Sequence, residues 1–225
     1  MTTSISDTMT RVRVVGRGRA GGAIAGRLSE RGLLHDDDPD LVLLCVPDTA
    51  IAEVARAIAP GPWVAHVSGA TPLAALTPHT RAFGVHPLQT FTTARGPEQL
   101  DGAWAAVTAF DEPARERGRW LAGVLGLRPF DLADDRRALY HAGASMASNF
   151  LVTLYRAAAR AVETAGAPPE ALIPLMERTI ANHFALTGPI ARGDWATVDA
   201  HVAALREQLP DLEVLYRVLA EATRP

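Results

Sequence analysis

Short apolar runs alternate with helix-like segments through the first half of the chain. Val12–Val15 has the pattern of a buried strand, and the continuous apolar run Leu41–Val46 is typical of a parallel strand covered on both faces. Between them, residues 20–31 place apolar side chains on one helical face and end at Gly32. Further apolar runs at 63–67, 82–85, 105–110 and 128–130 alternate with helical patterns at 51–59, 72–76 and 113–125. The alternation predicts an α/β fold built on a doubly wound parallel sheet.

The pattern changes after Asp131. Residues 133–165 are rich in alanine with little turn chemistry, and helical patterns follow at 168–186, 195–209 and 211–223. The second half therefore reads as an all-α domain. We predict a tail at residues 1–10, an α/β domain at 11–132 and a helical domain at 133–225.

A glycine-rich turn joins the first strand to the first helix. Its sequence, Gly16-Arg-Gly-Arg-Ala-Gly21, has the spacing of a Rossmann dinucleotide fingerprint, in which a helix amino terminus binds the pyrophosphate. Arg17 and Arg19 add positive charge that suits an anion. The alternative is that the glycines only permit a tight turn and close packing. The predicted cofactor-binding residues are Gly16, Arg17, Gly18, Arg19 and Gly21, with Pro47 after the next strand.

The segment between the glycine fingerprint and the next predicted strand is short. Leu41 begins only 20 residues after Gly21, where the usual fold has a ribose-binding strand and a crossover first. Asp36 has the spacing of a ribose-binding acid, but a parallel strand needs a crossover of about a dozen residues before the next strand. We therefore interpret the acidic cluster 36–38 as a solvated turn. The prediction is a shortened Rossmann-like sheet in which the ribose-recognition strand is missing.

Composition and charge argue against several classes of function. A net charge of −3 and a pI near 6.2 argue against nucleic-acid binding. No apolar run approaches the roughly 18 residues of a membrane span. The single Cys45 forms no internal disulfide, which favours a cytoplasmic location. No metal site is predicted, and the absence of lysine excludes a Schiff base to a lysine side chain.

Polar side chains follow the predicted strands at the edge where open α/β sheets bind ligands. His86 is the candidate general acid or base because an unperturbed histidine titrates near neutrality. Ser68, Gln89 and Thr90 are candidates for orienting a substrate, although Ser68 also suits a turn cap. His66 is interpreted as a strand-end histidine with satisfied hydrogen bonds.

The helical half carries further candidates. His141, Ser145 and Asn149 recur every four residues, so they share one helical face that lines a cleft or faces solvent. Asn182 and Arg192 are candidate substrate contacts near the break between two later helices. Asp194 is expected to cap the helix that follows it.

Four phrases of the sequence resemble a family of oxidoreductases inferred from sequence. They are His66–Ala70, Gly84–Phe91, Tyr140–Phe150 and Leu186–Asp194. That family joins a Rossmann-like domain to a helical domain of unknown function. It belongs with the 6-phosphogluconate dehydrogenase-like superfamily, alongside ketopantoate reductase, prephenate dehydrogenase and pyrroline-5-carboxylate reductase.

The resemblance implies a nicotinamide cofactor, NADP or NAD, and a homodimer formed by the C-terminal helices. Superfamily members often carry a Lys-x-x-x-Asn pair, matched here by Ser145 and Asn149, so His86 or His141 must supply any proton. The function expected is oxidation or reduction of a small carboxylate or carbonyl compound. The alternatives are a non-redox dehydration, isomerisation or cyclisation on a degenerate Rossmann scaffold, and a non-catalytic ligand-binding or scaffold protein.

Overall fold

Six strands form one sheet in the computed structural model, which describes residues 9–224. They follow the chain in the spatial order β1 to β6: β1 (Val12–Val15), β2 (Leu41–Leu44), β3 (Trp63–His66), β4 (Ala82–Leu88), β5 (Trp104–Ala109) and β6 (Arg128–Asp131). The predicted Rossmann-like α/β class is confirmed. β1 to β4 run parallel, but β5 runs antiparallel to β4. The expectation of a uniformly parallel sheet fails at this pair because only the 3-10 turn Pro97–Leu100, and no crossover helix, separates β4 from β5.

Helices cover both faces of this sheet. They are α1 (Arg19–Glu30), α2 (Ile51–Arg56), α3 (Glu112–Val124) and α4 (Arg137–Ser145). Ile24 of α1 and Leu121 of α3 belong to one core cluster, whereas Ile51 of α2 packs in a second cluster with Val42 and Leu44. Since neighbouring residues of a strand point to opposite faces, α1 and α2 lie on opposite sides of the sheet. The helices thus change faces between β1 and β2.

A single bridged residue lies on the other edge of β1. Leu34 forms a parallel bridge with Val12, whose N–H donates to Leu33 O at 2.8 Å and whose carbonyl accepts from His35 N at 3.0 Å. Leu41 N instead donates to Arg11 O, on the β2 side. The sequence pattern predicts no strand between α1 and β2. In the structure the chain first touches the far edge of β1 and then passes to β2.

The acidic segment is held at the amino end of β1. The carboxylate of Asp40 accepts hydrogen bonds from Thr10 N and Arg11 N, both at 2.9 Å, and Asp38 pairs with Arg11 at 2.7 Å. Most of the predicted tail, residues 1–8, lies outside the described residues. Its last two residues are anchored, because Met9 packs in the core and Thr10 binds Asp40.

The second compact unit is helical. Contacts divide the chain after Ser145, so α4 packs with the sheet, beyond the predicted boundary at 132–133. The second unit contains a π-helical turn (Met146–Phe150), α5 (Leu151–Thr164), α6 (Leu172–Ala181), α7 (Trp195–Gln208) and α8 (Pro210–Ala222). Asp194 caps α7 as expected, accepting from Thr197 N at 3.2 Å. Among residues 9–224, no helix is long and apolar enough to cross a membrane.

Candidate functional site

The glycine turn packs tightly against the end of β2. Gly16 adopts a φ of +96°, and a Cβ built there would lie 2.4 Å from Cys45 O. A Cβ on Gly21 would lie 2.2 Å from Gly16 O. Both glycines are therefore required by packing within the chain, so the fingerprint is a structural necessity at these two positions.

Gly18 differs, because a Cβ there would meet nothing within 4 Å. It is the N-cap of α1 and supplies no side chain to the helix amino terminus, and no acidic residue lies in the first helical turn. The first-turn N–H groups thus have no side-chain cap among residues 9–224, and uncapped N–H groups at a helix amino terminus suit a pyrophosphate. Arg17 and Arg19 are exposed on either side, and Pro47 is exposed just before the 3-10 turn Asp48–Ala50.

The turn lies at the position where ligands bind in open α/β sheets. Gly16 follows the carboxyl end of β1, and the flanking helices change faces between β1 and β2. Such a switch point leaves a crevice beyond the strand ends. The glycine turn follows the strand at which the helices change faces, and the cofactor-binding role of its residues stays a prediction.

His86 and Tyr140 form a hydrogen-bonded pair further along the same edge. Gly84 of β4 is level with His66, the last residue of β3, so His86 projects two residues beyond the end of β3. Its Nδ1 lies 2.8 Å from the hydroxyl of Tyr140 on α4. The rings of His86 and His141 are 6.0 Å apart between centroids. The structure thus brings together two predicted histidines with a tyrosine that the site prediction did not include.

Burial sets the protonation state of this pair. Desolvation, together with His141 and Arg137, lowers the pKa of His86 to about 4, against the opposing effect of Asp48. Desolvation raises the pKa of Tyr140 to about 12. At neutral pH the imidazole is therefore neutral and the phenol keeps its proton. The hydrogen bond to Nδ1 then determines whether Nε2 carries a proton or a lone pair.

Ser68 organises the loop after β3. Its hydroxyl donates to the carboxylate of Asp48 at 2.7 Å and accepts from Thr71 N at 2.9 Å. A hydroxyl has one proton to donate, so Ser68 in this arrangement fixes the loop. This hydrogen bond also links the segment after β2 to the segment after β3.

A buried arginine joins α4 to the sheet. Arg137 is fully buried, donates to Thr108 Oγ1 at 2.8 Å and also donates to the carbonyl of Ser68. Its charge faces Asp134, whose carboxylate lies 4.0 Å from Nε. Arg137 therefore holds α4, which carries Tyr140, against the loop after β3 and against β5, the strand that pairs with β4 and its His86.

His66 departs from the expectation of a satisfied histidine. It is completely buried, and neither ring nitrogen has a hydrogen-bond partner among residues 9–224. Desolvation and the nearby Arg137 lower its pKa to about 3, so the ring is neutral. The expectation was wrong because the strand end is covered by the loop after β3 and by α4, which the sequence pattern does not reveal.

Gly69 lies directly against the rings of His86 and His141, and its lack of a side chain leaves room for both. A Cβ on Gly69 would lie 2.6 Å from Cδ2 of His141 and 2.9 Å from Nε2 of His86. Real Cβ atoms do not approach this closely, so any larger residue would displace a ring. Gly69 lies inside the phrase His66–Ala70, but no local pattern marks it as a contact of the two histidines.

Gln89 and Thr90 lie beyond the end of β4 and are exposed. The side-chain amide of Gln89 donates to Gln99 O at 2.9 Å and its oxygen accepts from Thr90 N at 2.8 Å. Both residues are thus tied to the local loop, and their predicted substrate contacts stay predictions.

The helical candidates are distributed between the two units. His141 and Ser145 lie one turn apart on α4 and are half-buried, whereas Asn149 is exposed in the π-helical turn of the second unit. Asn182 ends α6 and Arg192 lies in the turn before α7, both exposed. Their roles stay predictions.

Tyr140, Arg137 and Asp48 are the residues that sequence reasoning missed. Tyr140 begins one of the quoted phrases, and Asp48 directly follows the candidate Pro47, so the positions of both were visible in the sequence. Nothing in the sequence marks Arg137 as buried, because a surface arginine and a buried one look alike in a polar stretch.

Just over half of the chain matches the model of a known protein family. Residues 103–223, which are 121 of the 225 residues, match the model of a family described as a domain of unknown function, DUF2520. The match begins just before β5 and includes nearly all of the second unit. No curated protein matches the chain.

Solved structures match the chain over nearly its whole length. A candidate NADP oxidoreductase from Bacteroides fragilis has a TM-score of 0.79 and 20% identity, covering 96% of this chain and 98% of that one. A Thermotoga maritima protein has a TM-score of 0.75 and 22% identity, covering 94% and 96%. A reductive aminase from Aspergillus terreus in complex with NADPH and ethyl levulinate has a TM-score of 0.69 and 15% identity, covering 96% and 95%. At these identities the likeness establishes the fold.

Proposed function

The chain belongs to the DUF2520 family, and we propose that it is an oxidoreductase that transfers a hydride between a nicotinamide dinucleotide, NADP or NAD, and a small carbonyl or carboxylate compound. The observation that carries the proposal is the pairing of an open glycine turn with a hydrogen-bonded His86 at the same edge of one sheet. The nicotinamide-dependent proteins among the structural neighbours support it.

The spacing along the sheet suits an extended dinucleotide. Neighbouring strands lie about 4.8 Å apart, so β4 is roughly 14 Å from β1 across three spacings. A dinucleotide held by its pyrophosphate at the glycine turn would have to span roughly this distance to bring its other end to His86. The strands between these two points are β2 and β3.

Each residue then has a physical role. The bound cofactor supplies the hydride or accepts it. His86 takes the proton of an alcohol or amine during oxidation through Nε2, while Nδ1–H donates to Tyr140, and it returns the proton during reduction. Tyr140 and Gly69 fix the ring orientation, and Ser68 and Asp48 hold the loop against it. His141, beside His86, is placed to contact the substrate.

A cofactor titration tests the proposal directly. We expect NADPH or NADH to bind the full chain saturably, with a dissociation constant below about 1 mM, as measured by fluorescence. A screen of small ketones, 2-oxo acids and imines then follows consumption of the reduced cofactor. His86→Ala is expected to lower turnover by about 10²–10⁴-fold while cofactor affinity is kept.

His35→Ala is the matched control, because His35 is an exposed histidine in the turn before β2. It should leave turnover unchanged. The absence of saturable binding by either cofactor would refute the redox proposal. Cofactor-independent conversion that depends on His86 would then favour a dehydration, isomerisation or cyclisation.

The same proposal includes a homodimer formed by the second unit. Supporting it, no residue of α5 or α6 is buried, and large apolar side chains such as Val214 and Val218 on α8 are mostly exposed. Apolar surface of this kind is characteristic of protein interfaces.

A further inference from the structure

We propose that Arg137 is a positioning residue of the candidate site, because it ties together the two segments that contact the ring of His86. One segment is the loop after β3, which contacts the ring through Gly69, and the other is α4, which contacts it through Tyr140. The inference rests on the proposed function, in which His86 carries the proton. It gives a functional role to a buried guanidinium that the proposed chemistry of His86 does not itself use.

The first observation is the position of the guanidinium over β4. Gly84 pairs with His66 on β3 and with Thr108 on β5, so these three residues form one row on one face of the sheet. A Cβ on Gly84 would lie 3.1 Å from Nη1 of Arg137 and 3.3 Å from Cε1 of His66. The missing side chain of Gly84 therefore leaves the space that the guanidinium occupies. His86, two residues further along β4, lies on the same face.

The second observation is the pair of hydrogen bonds that hold the guanidinium in place. Nη1 of Arg137 donates to Thr108 Oγ1 at 2.8 Å, and Nη2 donates to the carbonyl of Ser68. Ser68 directly precedes Gly69, where a Cβ would lie 2.9 Å from Nε2 of His86. The backbone oxygen that Arg137 binds is thus one residue away from the backbone that contacts the imidazole.

The same side chain fixes α4. Tyr140 and His141 lie three and four residues after Arg137, so the three side chains share one face of the helix. The Tyr140 hydroxyl lies 2.8 Å from Nδ1 of His86. Anchoring the first turn of α4 therefore sets the position from which Tyr140 reaches the imidazole. Arg137 thus constrains the ring of His86 from two sides.

The charge of Arg137 is loosely paired. Its Nε atom has no hydrogen-bond partner among residues 9–224, and the carboxylate of Asp134 lies 4.0 Å from it. That carboxylate also accepts a hydrogen bond from Leu73 N at 3.0 Å. Because the guanidinium is buried, its charge acts on neighbouring groups through a medium less polar than water.

Ionisable groups face His86 from each element packed around it. They are Asp48 after β2, His66 on β3, and Arg137, Tyr140 and His141 on α4. Desolvation, His141 and Arg137 lower the pKa of His86, and Asp48 raises it. An arginine keeps its charge at every pH at which the fold is studied. Loss of Arg137 should therefore raise the pKa of His86 and release its ring orientation together.

Histidine NMR tests this role without an activity assay. The full chain is labelled with ¹⁵N-histidine, the signals of His86 are assigned with His86→Ala, and the pH is varied from about 8 to about 4. The parent chain should show the Nδ1–H tautomer that donates to Tyr140. In Arg137→Met we expect a mixture of tautomers and a pKa raised by about one unit. Turnover should fall by about 10–10²-fold, because a small displacement of the base is costly.

Two further variants separate geometry from charge and from general stability. Arg137→Lys keeps the charge but lacks the planar fork that binds Thr108 and Ser68 together. We expect it to keep a lowered pKa at His86 and still to show mixed tautomers. Arg136→Met is the matched control, because the side chain of Arg136 is 70% exposed, and it should leave both signals unchanged.

The outcomes separate this inference from the proposed function. A parent-like His86 tautomer in Arg137→Lys would overturn the inference, whether or not Arg137→Met folds. A lower melting temperature of Arg137→Met with unchanged His86 signals would also overturn it, since Arg137 would then only stabilise the fold. Either result leaves the oxidoreductase proposal intact. Failure of both cofactors to bind would refute that proposal, and the NMR result would still decide whether Arg137 positions His86.

Discussion

At the scale of single residues, His66 is a buried imidazole that finds no hydrogen-bond partner in the part of the chain that the structure describes. Desolvation lowers its pKa from 6.5 to about 3, so the folded chain excludes a proton that the unfolded chain binds below pH 6.5. The unfolded state therefore holds more protons between pH 6.5 and 3. Stability must fall as the pH falls through this window.

The first prediction follows from that difference. Between pH 7 and pH 5, His66 should lower the free energy of unfolding by about 2 kcal/mol. His66→Met removes the titrating ring, so urea unfolding of this variant should show a pH dependence smaller by about that amount. An identical pH dependence in the variant and the parent chain would contradict the assigned burial.

Gly69 is the residue on which the geometry of the two histidines depends. We expect Gly69→Ala to destabilise the fold by about 1–3 kcal/mol, because the new methyl group overlaps the rings of His86 and His141. Gly143→Ala is the control, since a Cβ at Gly143 of α4 meets nothing within 4 Å. That variant should instead gain about 0.5–1 kcal/mol from helix propensity. Urea unfolding of both variants measures the contrast, and equal effects would refute the close contact.

At the scale of elements, helix termini show where local sequence suffices. Asp111 precedes α3, and its carboxylate accepts from Ala114 N at 2.8 Å, with Pro113 in the first turn. This is the pattern of an N-cap that can be read from sequence. The prediction of a helix at 113–125 matches α3 to within one residue at each end.

The N-cap at Asp111 leads to a prediction about the stability of the fold. Asp111→Ala should destabilise the fold by about 1 kcal/mol, because it leaves an N–H of the first turn without a partner. Asp111→Asn retains a capping oxygen and should cost much less. Thermal unfolding of the two variants makes the comparison, and equal losses would argue that charge rather than capping acts at this position.

α4 shows where local sequence does not suffice. The alanine-rich stretch 133–165, whose sequence shows little turn chemistry, is divided into the 3-10 turn Asp134–Arg136, α4, a π-helical turn and α5. Arg137 anchors its first turn to the sheet. The partners of Arg137 lie 29 and 69 positions away, so no local pattern reveals this contact.

At the scale of the whole molecule, large apolar side chains of the second unit are exposed to solvent in the single chain. Val214 and Val218 lie one turn apart on α8 and are 71% and 62% exposed. We expect the purified chain to sediment as a dimer. Val214→Asp/Val218→Asp should shift it towards the monomer, because burial of a charge is costly. An unchanged sedimentation coefficient would exclude this face from the interface.

The matched control for the dimer is a polar exchange on the same helix. Glu221→Gln alters charge near the end of α8 without adding a buried carboxylate, and should leave the dimer intact. A parent chain that sediments as a monomer would contradict the homodimer proposal itself.

The sequence by itself determined the elements that depend on short-range pattern. Strand positions, the glycine turn, the helical second half and the cap at Asp194 follow from periodicity and turn chemistry within a few residues. His86 could be selected as a candidate because its residue type and its position after a strand are both local properties.

Only the tertiary structure decided which residues meet. His86 contacts Tyr140 across 54 positions and Arg137 contacts Ser68 across 69, and no periodic pattern connects such pairs. The antiparallel return of β5 and the bridge at Leu34 likewise depend on backbone pairing between distant segments. Burial has the same origin, because desolvation at His66 depends on the loop and helix that cover it. The fold class could therefore be read along the chain, while the chemistry of the site required the packing.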